Sequence, residues 1–404
     1  MGYGVSVSFL LGKRDNMKKM TVFSFFRSNN IGDLLIADQV SEVFGRYYDC
    51  KYCDIGNFKD VDIIQWKDTI SKELTSNIKK QSKFKKAILS IGLLNSAIGA
   101  YKAKISDGPA HAVENCKDSD IVVFAGGNSI MELGYFSATT ERLYRVIKAL
   151  KKNGKKVAFC FCGVGPFHNK ASYRKLQQII SLVDFISVRD NASYDMVVKA
   201  CPNVDIEIWR DPVMLKKIEY SGVFSDSIGV NVYFGHNKAN QEKIRTAFVG
   251  LIKELREQYP NRRIILFSSE LTDIEHVMAV KNAFQSDSMV EARRVNTIDG
   301  LFAIYNSVCC VLGTRMHTVI TALISHKPVV SLSWASKVKS LMEYFNNEDK
   351  CFDINAFAND HSAISEALDS LIAKGDEAVK SNDKILSKAR ENIEDGIEKF
   401  KERL

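Results

Sequence analysis

A histidine, two arginines and a lysine mark the chemistry open to this sequence. Arg315 and His317 fall in Gly313-Thr314-Arg315-Met316-His317. An apolar run of strand length, Val308 to Leu312, precedes them, and Val319, Ile320, Leu323 and Ile324 recur after them at helical spacing. That pattern predicts strand, tight turn and helix, with both residues at the turn, where unpaired N–H groups and the positive end of the dipole favour an anion. The unit then repeats: Val329 to Leu332 reads as the next strand, and Ser333 to Lys337 opens another helix. In a parallel sheet the two strand ends share an edge, so Arg315, His317, Ser333 and Lys337 line one crevice. A further arginine, Arg189, sits at the same kind of junction, after the run Val183 to Val188. Cationic groups gathered in this way repel one another, which calls for something negative between them. Arg grips a phosphate or carboxylate with a planar fork, Lys acts as a point charge, and an imidazole can give or take a proton near neutral pH.

The elements that must position these residues are legible as alternating apolar runs and helical stripes. Lys18 to Phe26 reads as a first strand, followed by the loop Arg27 to Asp33, where Asn30, Gly32 and Asp33 precede a helical stripe through Leu34, Ala37, Val40 and Phe44. Ser119 to Ala125 is a buried-type strand ending in Gly126-Gly127-Asn128, and Val157 to Cys162 is another, ending in Gly163-Val164-Gly165-Pro166. Ile206 to Pro212 closes this half, and Lys216 to Ser227 reads as a linker. A second series then begins at Ile228 to Val232, with a helix over Glu242 to Tyr259, a strand over Arg263 to Phe267 and a helix near Glu275 to Phe284. These runs predict an α/β protein of two doubly wound Rossmann-like domains facing across a cleft, over residues 18–215 and 228–375. Residues 376–404 are expected to form a final, exposed helix, and residues 1–17 an extension outside the fold.

Composition narrows the function. With 404 residues the chain is long enough for two to three domains. A formal charge of +8 suits an anionic substrate or membrane surface, and no basic, aromatic-laced motif points to nucleic acid. The nine cysteines sit mostly in apolar runs and read as reduced core thiols; Cys50 and Cys53 form a CxxC with no second pair, so no metal site is expected. Between residues 66 and 107 lies a basic insertion in which Lys79, Lys80, Lys83, Lys85 and Lys86 precede the short apolar patch Ala87 to Leu94. This stretch reads either as a core helix with a solvated flank or as an interfacial segment making peripheral membrane contact.

The ordered set Asn30-Ile31-Gly32-Asp33, Gly126-Gly127-Asn128, Gly163-Val164-Gly165-Pro166, Val188-Arg189-Asp190 with Ser193, Asp211-Pro212, Gly313 to His317, and Lys337 resembles the polysaccharide pyruvyl transferase family. The resemblance implies a GT-B-like fold and transfer of pyruvate from phosphoenolpyruvate, as donor substrate and with no further cofactor, to a sugar of a glycan or lipid-linked oligosaccharide. It also implies a protein of the cytoplasm, at the inner face of the membrane. It assigns His317, Arg315 and Arg189 to catalysis, and Asn30, Gly32, Asp33, Gly126, Gly127, Asn128, Gly163, Gly165 and Lys337 to substrate binding, to which the strand-end crevice adds Ser333. Asn128 departs from the family's commoner third glycine. Two other readings share the architecture: a GT-B glycosyltransferase using a sugar nucleotide, and a non-catalytic glycan- or anion-binding protein.

Overall fold

Two mostly parallel sheets, whose central strands are buried apolar runs with no polar face, hold the molecule together. A computed structural model describes residues 17–72, 107–132, 138–167, 169–218, 226–235 and 237–404. The extension assigned to the first residues and the lysine-rich patch over 79–101 lie outside the described residues. The first sheet has the order β3-β2-β1-β4-β5-β6-β7, with β1 Lys19–Ser24, β2 Asp49–Asp54, β3 Asp60–Val61, β4 Ile121–Ala125, β5 Lys156–Cys162, β6 Phe185–Val188 and β7 Glu207–Ile208. The second runs β10-β9-β8-β11-β12-β13, with β8 Ser227–Asn231, β9 Ile264–Ser268, β10 Val290–Arg294, β11 Val308–Gly313, β12 Val329–Ser333 and β13 Cys351–Asp353. All pairings are parallel except β2 with β3.

Strand β2 holds Cys50 and Cys53, the CxxC of the sequence, in register with Met20 and Phe23 of β1. Its pattern DCKYCD alternates too many charges to announce a buried strand, because β2 lies towards the sheet margin. Among the described residues no group of three or more His, Cys, Asp or Glu side chains is placed to hold a metal ion.

The two halves share one core. A continuous apolar cluster runs from Met20, Val22 and Val123 through the helix Ile31–Gly45 into Ile298, Leu301, Ile320 and Leu323 of the second half. That explains why the helix Ile31–Gly45 is buried nearly all round and the helix Met316–Ile324 entirely so: each is packed between sheets rather than on a surface. Backbone bonds also cross the junction, from Ile31 N–H to Ser269 C=O at 2.9 Å and from Leu271 N–H to Asn29 C=O at 3.2 Å.

The expectation of an exposed final helix is corrected by the structure. Helix Lys380–Arg403 buries Leu386, Ala389, Ile393, Ile397 and Phe400 against the first half. Phe400 meets Trp209, Phe185, Phe44 and Tyr48 edge-on or tilted, and Gly396 leaves the space that the Trp209 indole fills. The charge density of the tail hid an apolar stripe at helical spacing.

Candidate active site

Asp211 is the residue on which the site converges. It caps the short turn Pro212–Leu215 with Oδ1 on Val213 N–H, and its Oδ2 faces Arg189 Nη1 at 3.2 Å and His317 Nε2 at 3.6 Å. Arg189 and Asp211 come from the first half and His317 from the second, so this trio exists only when the halves are packed together. Burial pushes the Asp211 carboxyl up, but His317 and Arg189 beside it outweigh that cost and hold it below the usual carboxylate range. Arg189 is itself buried, with Nη2 donating to Asn128 Oδ1 at 2.6 Å and Nε 3.6 Å from Asp190. Asp190 in turn caps the helix Asn191–Ala200 by accepting from Ser193 N–H, and Ser193 Oγ accepts from Val164 N–H.

The glycine loops serve this framework. A Cβ at Gly163 would overlap Asn128 and lie 3.1 Å from Arg189 Nη2, so this glycine makes room for the Asn128–Arg189 bond. Asn128 Nδ2 also donates to Gly165 C=O at 3.3 Å, tying the two loops together. Gly126 and Gly127 adopt φ of 73° and 59°, and a side chain at either would strike Ile36 or Phe25. Gly165 packs on Met196 Sδ, 2.6 Å from where its Cβ would be. Gly32 has the most direct part: its Cα faces the His317 ring so closely that a methyl group would overlap the imidazole. Asn30 caps that helix by accepting from Gly32 N–H at 2.9 Å, and Asp33 accepts from Ser28 Oγ at 2.9 Å.

Arg315 stands apart from the trio. Its Nε and Nη2 donate to Asp273 at 2.9 and 2.7 Å, Glu270 lies 2.9 Å from Nη2, and the Tyr233 ring lies 3.8 Å from the guanidinium carbon. Burial pushes Asp273 up to about 6 against the pull of Arg315. Asn231, fully buried at the end of β8, fixes the loop by accepting from the N–H groups of Thr314 and Arg315. Ser333 Oγ donates to Ala335 C=O at 3.0 Å. Lys337, over the Trp334 ring at 5.3 Å, is lowered to about 8 by burial and by Arg189 and Arg315, with Asp33 and Glu270 opposing. It therefore sits between the two arginine clusters.

A cavity of about 230 Å³ opens beside Arg189, Asp211 and Lys337, over a floor of Met214, Met316 and Ile320. Arg210 and Tyr344 line its other end. The sequence pattern put Arg315, His317, Ser333 and Lys337 in one crevice with Arg189 across the cleft, whereas Asp273 and Glu270 hold Arg315 away from the trio; Asp211 was legible only as half of an Asp-Pro pair. That pattern missed Asn231 and Arg210 altogether. A lone Asp before Pro was the one available signal for the hub; strand-end Asn231 and loop residue Arg210 carried none.

The paired sheets, the interdomain cleft and the cationic residues gathered there define a two-domain GT-B enzyme fold. The same fold is found in the Staphylococcus aureus MnaA–UDP co-structure, with 10% identity, TM-score 0.59 and coverage of 91% of this chain and 92% of that one. UDP-GlcNAc 2-epimerase from Neisseria meningitidis bound to UDP-GlcNAc is 12% identical, with TM-score 0.54 and coverage of 95% and 100%. A UDP-forming trehalose-phosphate synthase from Burkholderia xenovorans is 12% identical, with TM-score 0.52 and coverage of 96% and 98%. At such identities the likeness is one of fold. Residues 30–336 match the model of the polysaccharide pyruvyl transferase family, most of the chain, and the protein belongs to that family. No protein of curated function matches the sequence.

Proposed function

We propose that this transferase takes pyruvate from phosphoenolpyruvate and places it as a ketal on a sugar of a cell-surface polysaccharide or its lipid-linked precursor. The observation that carries this reading is the buried Asp211 carboxylate shared by Arg189 and His317 at the edge of a small cavity that Arg189 and Lys337 also line. The donor is a small molecule bearing a phosphate and a carboxylate. The cavity, of about 230 Å³, has room for such a donor.

In this scheme Lys337 and Arg189 hold the anionic groups, and Arg315 contributes positive charge from its fixed position. His317, beside Asp211, delivers a proton to the methylene carbon while an acceptor hydroxyl adds to the neighbouring carbon and passes its own proton back to the imidazole. A second hydroxyl of the same sugar then attacks that carbon, the C–O bond to phosphate breaks, and the hydroxyl proton leaves with inorganic phosphate. The ketal is closed without a change in oxidation state, and the scheme calls on no cofactor. Acting on a lipid-linked acceptor would bring the protein to the inner face of the membrane; among the described residues no helix is long and apolar enough to cross one.

Incubation with phosphoenolpyruvate and a panel of sugar acceptors should release phosphate and yield products heavier by one ketal-linked pyruvate. Release of UDP or GDP from sugar nucleotides, with phosphoenolpyruvate inert, would overturn the proposal in favour of a glycosyltransferase.

A further inference from the structure

Arg210 is a cleft arginine whose charge the fold leaves unanswered. Arg189 is paired with Asp211 and Asp190, and Arg315 with Asp273 and Glu270. Among the described residues Arg210 has no carboxylate within ion-pair distance; its guanidinium lies 4.0 Å over the Tyr344 ring, and both residues line the cavity that Arg189 and Lys337 enter from the other end. Glu343 lines the same end and has its own cation, Lys339, at 3.9 Å.

The backbone beneath Arg210 is held more firmly than a solvent-facing arginine requires. Trp209 is fully buried among Phe161, Phe185 and Phe400. Asn392 of the final helix clamps both sides of it, accepting from Arg210 N–H at 3.1 Å and donating to Ile208 C=O at 3.1 Å. The next residue is Asp211, the partner of His317. The C-terminal helix therefore fixes the hub and Arg210 as one unit. A planar guanidinium stacked on an aromatic ring keeps its in-plane N–H fork free for a bidentate oxyanion.

We propose that Arg210 and Tyr344 form an acceptor subsite that takes a sugar bearing a negative group, a carboxylate or a phosphate. This rests on the pyruvyl-transfer reading, in which the donor lies against Lys337 and Arg189 beside His317, so that Arg210, which has no carboxylate partner among the described residues, falls to the second substrate. Arg210 sets which acceptors are accepted, and His317 and Asp211 set what is done to them.

Calorimetric titration of the full chain with glucuronate, glucose 1-phosphate and methyl glucoside, each with and without phosphoenolpyruvate, tests this. At least one charged sugar should bind tenfold or more tightly than the neutral one, and Arg210→Gln should erase that preference. Binding of glucuronate alone identifies an acidic sugar, and binding of glucose 1-phosphate alone a phosphate-bearing acceptor. Arg210→Lys, which keeps the charge without the fork, should restore part of the preference and guards against a folding artefact in the Gln variant. No preference in the unaltered protein, or a preference that survives Arg210→Gln, overturns the subsite. Binding of phosphoenolpyruvate in the same titrations reports on the donor reading separately.

Discussion

Two arginines at matching strand-to-helix junctions, one in each half, have opposite surroundings. Arg189 shares Asp211 with a histidine from the other half, and its remaining contacts run to Asn128 and Asp190 on neighbouring loops. Arg315 is locked by Asp273 and Glu270 within its own half, with Tyr233 over its face. Their carboxylate partners differ in the same way: Asp211 is held below its ordinary value by His317 and Arg189, whereas burial lifts Asp273 to about 6. Residue type and position on the sheet thus do not settle a role. What separates the two is whether the partner carboxylate is also in contact with a group that can move a proton.

The sharpest test removes that group. His317→Gln keeps the packing against Gly32 and should lower kcat by about 10²–10⁴-fold, the worth of a positioned acid or base. A variant that keeps most of its rate would move the proton transfer elsewhere.

Gly32→Ala leaves every charge in place and displaces the ring by steric overlap. A shift of an ångström in a reacting group costs roughly 10²-fold, so kcat should fall steeply. The analogous change at Gly126, which faces Ile36, should appear as lost stability. Equal thermal shifts and equal rates for both would dissolve the distinction between site glycine and packing glycine.

The two carboxylates should also separate in unfolding titrations. Asp211 titrates lower in the folded protein than its ordinary ~3.9, so its contribution is present above that pH and is lost as the pH falls through the folded value. Asp273 titrates higher in the folded protein, so its contribution is present below ~3.9 and is lost as the pH rises through about 6. Asp211→Asn should flatten the acid limb of stability against pH, and Asp273→Asn should flatten the decline between about 4 and 6. Denaturant midpoints at half-unit pH steps decide it, and the same sign of change in both variants would contradict the contrast. Asp211→Asn also breaks a buried pair, with a loss of about 3–5 kcal/mol at pH 7.

The smallest effect concerns Lys337, which lies between the clusters. Its ammonium, lowered to about 8, loses its proton as the pH rises through that value, so donor affinity should weaken above pH 8. Lys337→Arg stays charged and should remove the dependence. A KM for phosphoenolpyruvate that is flat to pH 9 in the unaltered protein would take Lys337 out of donor binding.

Local pattern determined much of this protein. Continuous apolar runs such as Ile121–Ala125 and Val308–Gly313 specify central parallel strands, because both faces of such strands must be buried. Charged residues at strand-to-helix junctions mark strand ends where a ligand can bind, and Arg189, Arg315, His317 and Lys337 all lie at such junctions. Strand β2 and the buried face of the final helix were obscured by their charges, since a margin strand and a half-buried helix need apolar residues at only some positions. Tertiary structure alone decided which charges meet. Asp211 and His317 are separated by over a hundred residues and lie in different halves. Nothing local to either residue encodes the partner; the shared core between the halves sets it, and with it the difference between Arg189, which shares Asp211 with His317, and Arg315, which is held by its own domain. Arg210 gained its place in the same way, from a helix nearly two hundred residues further along the chain.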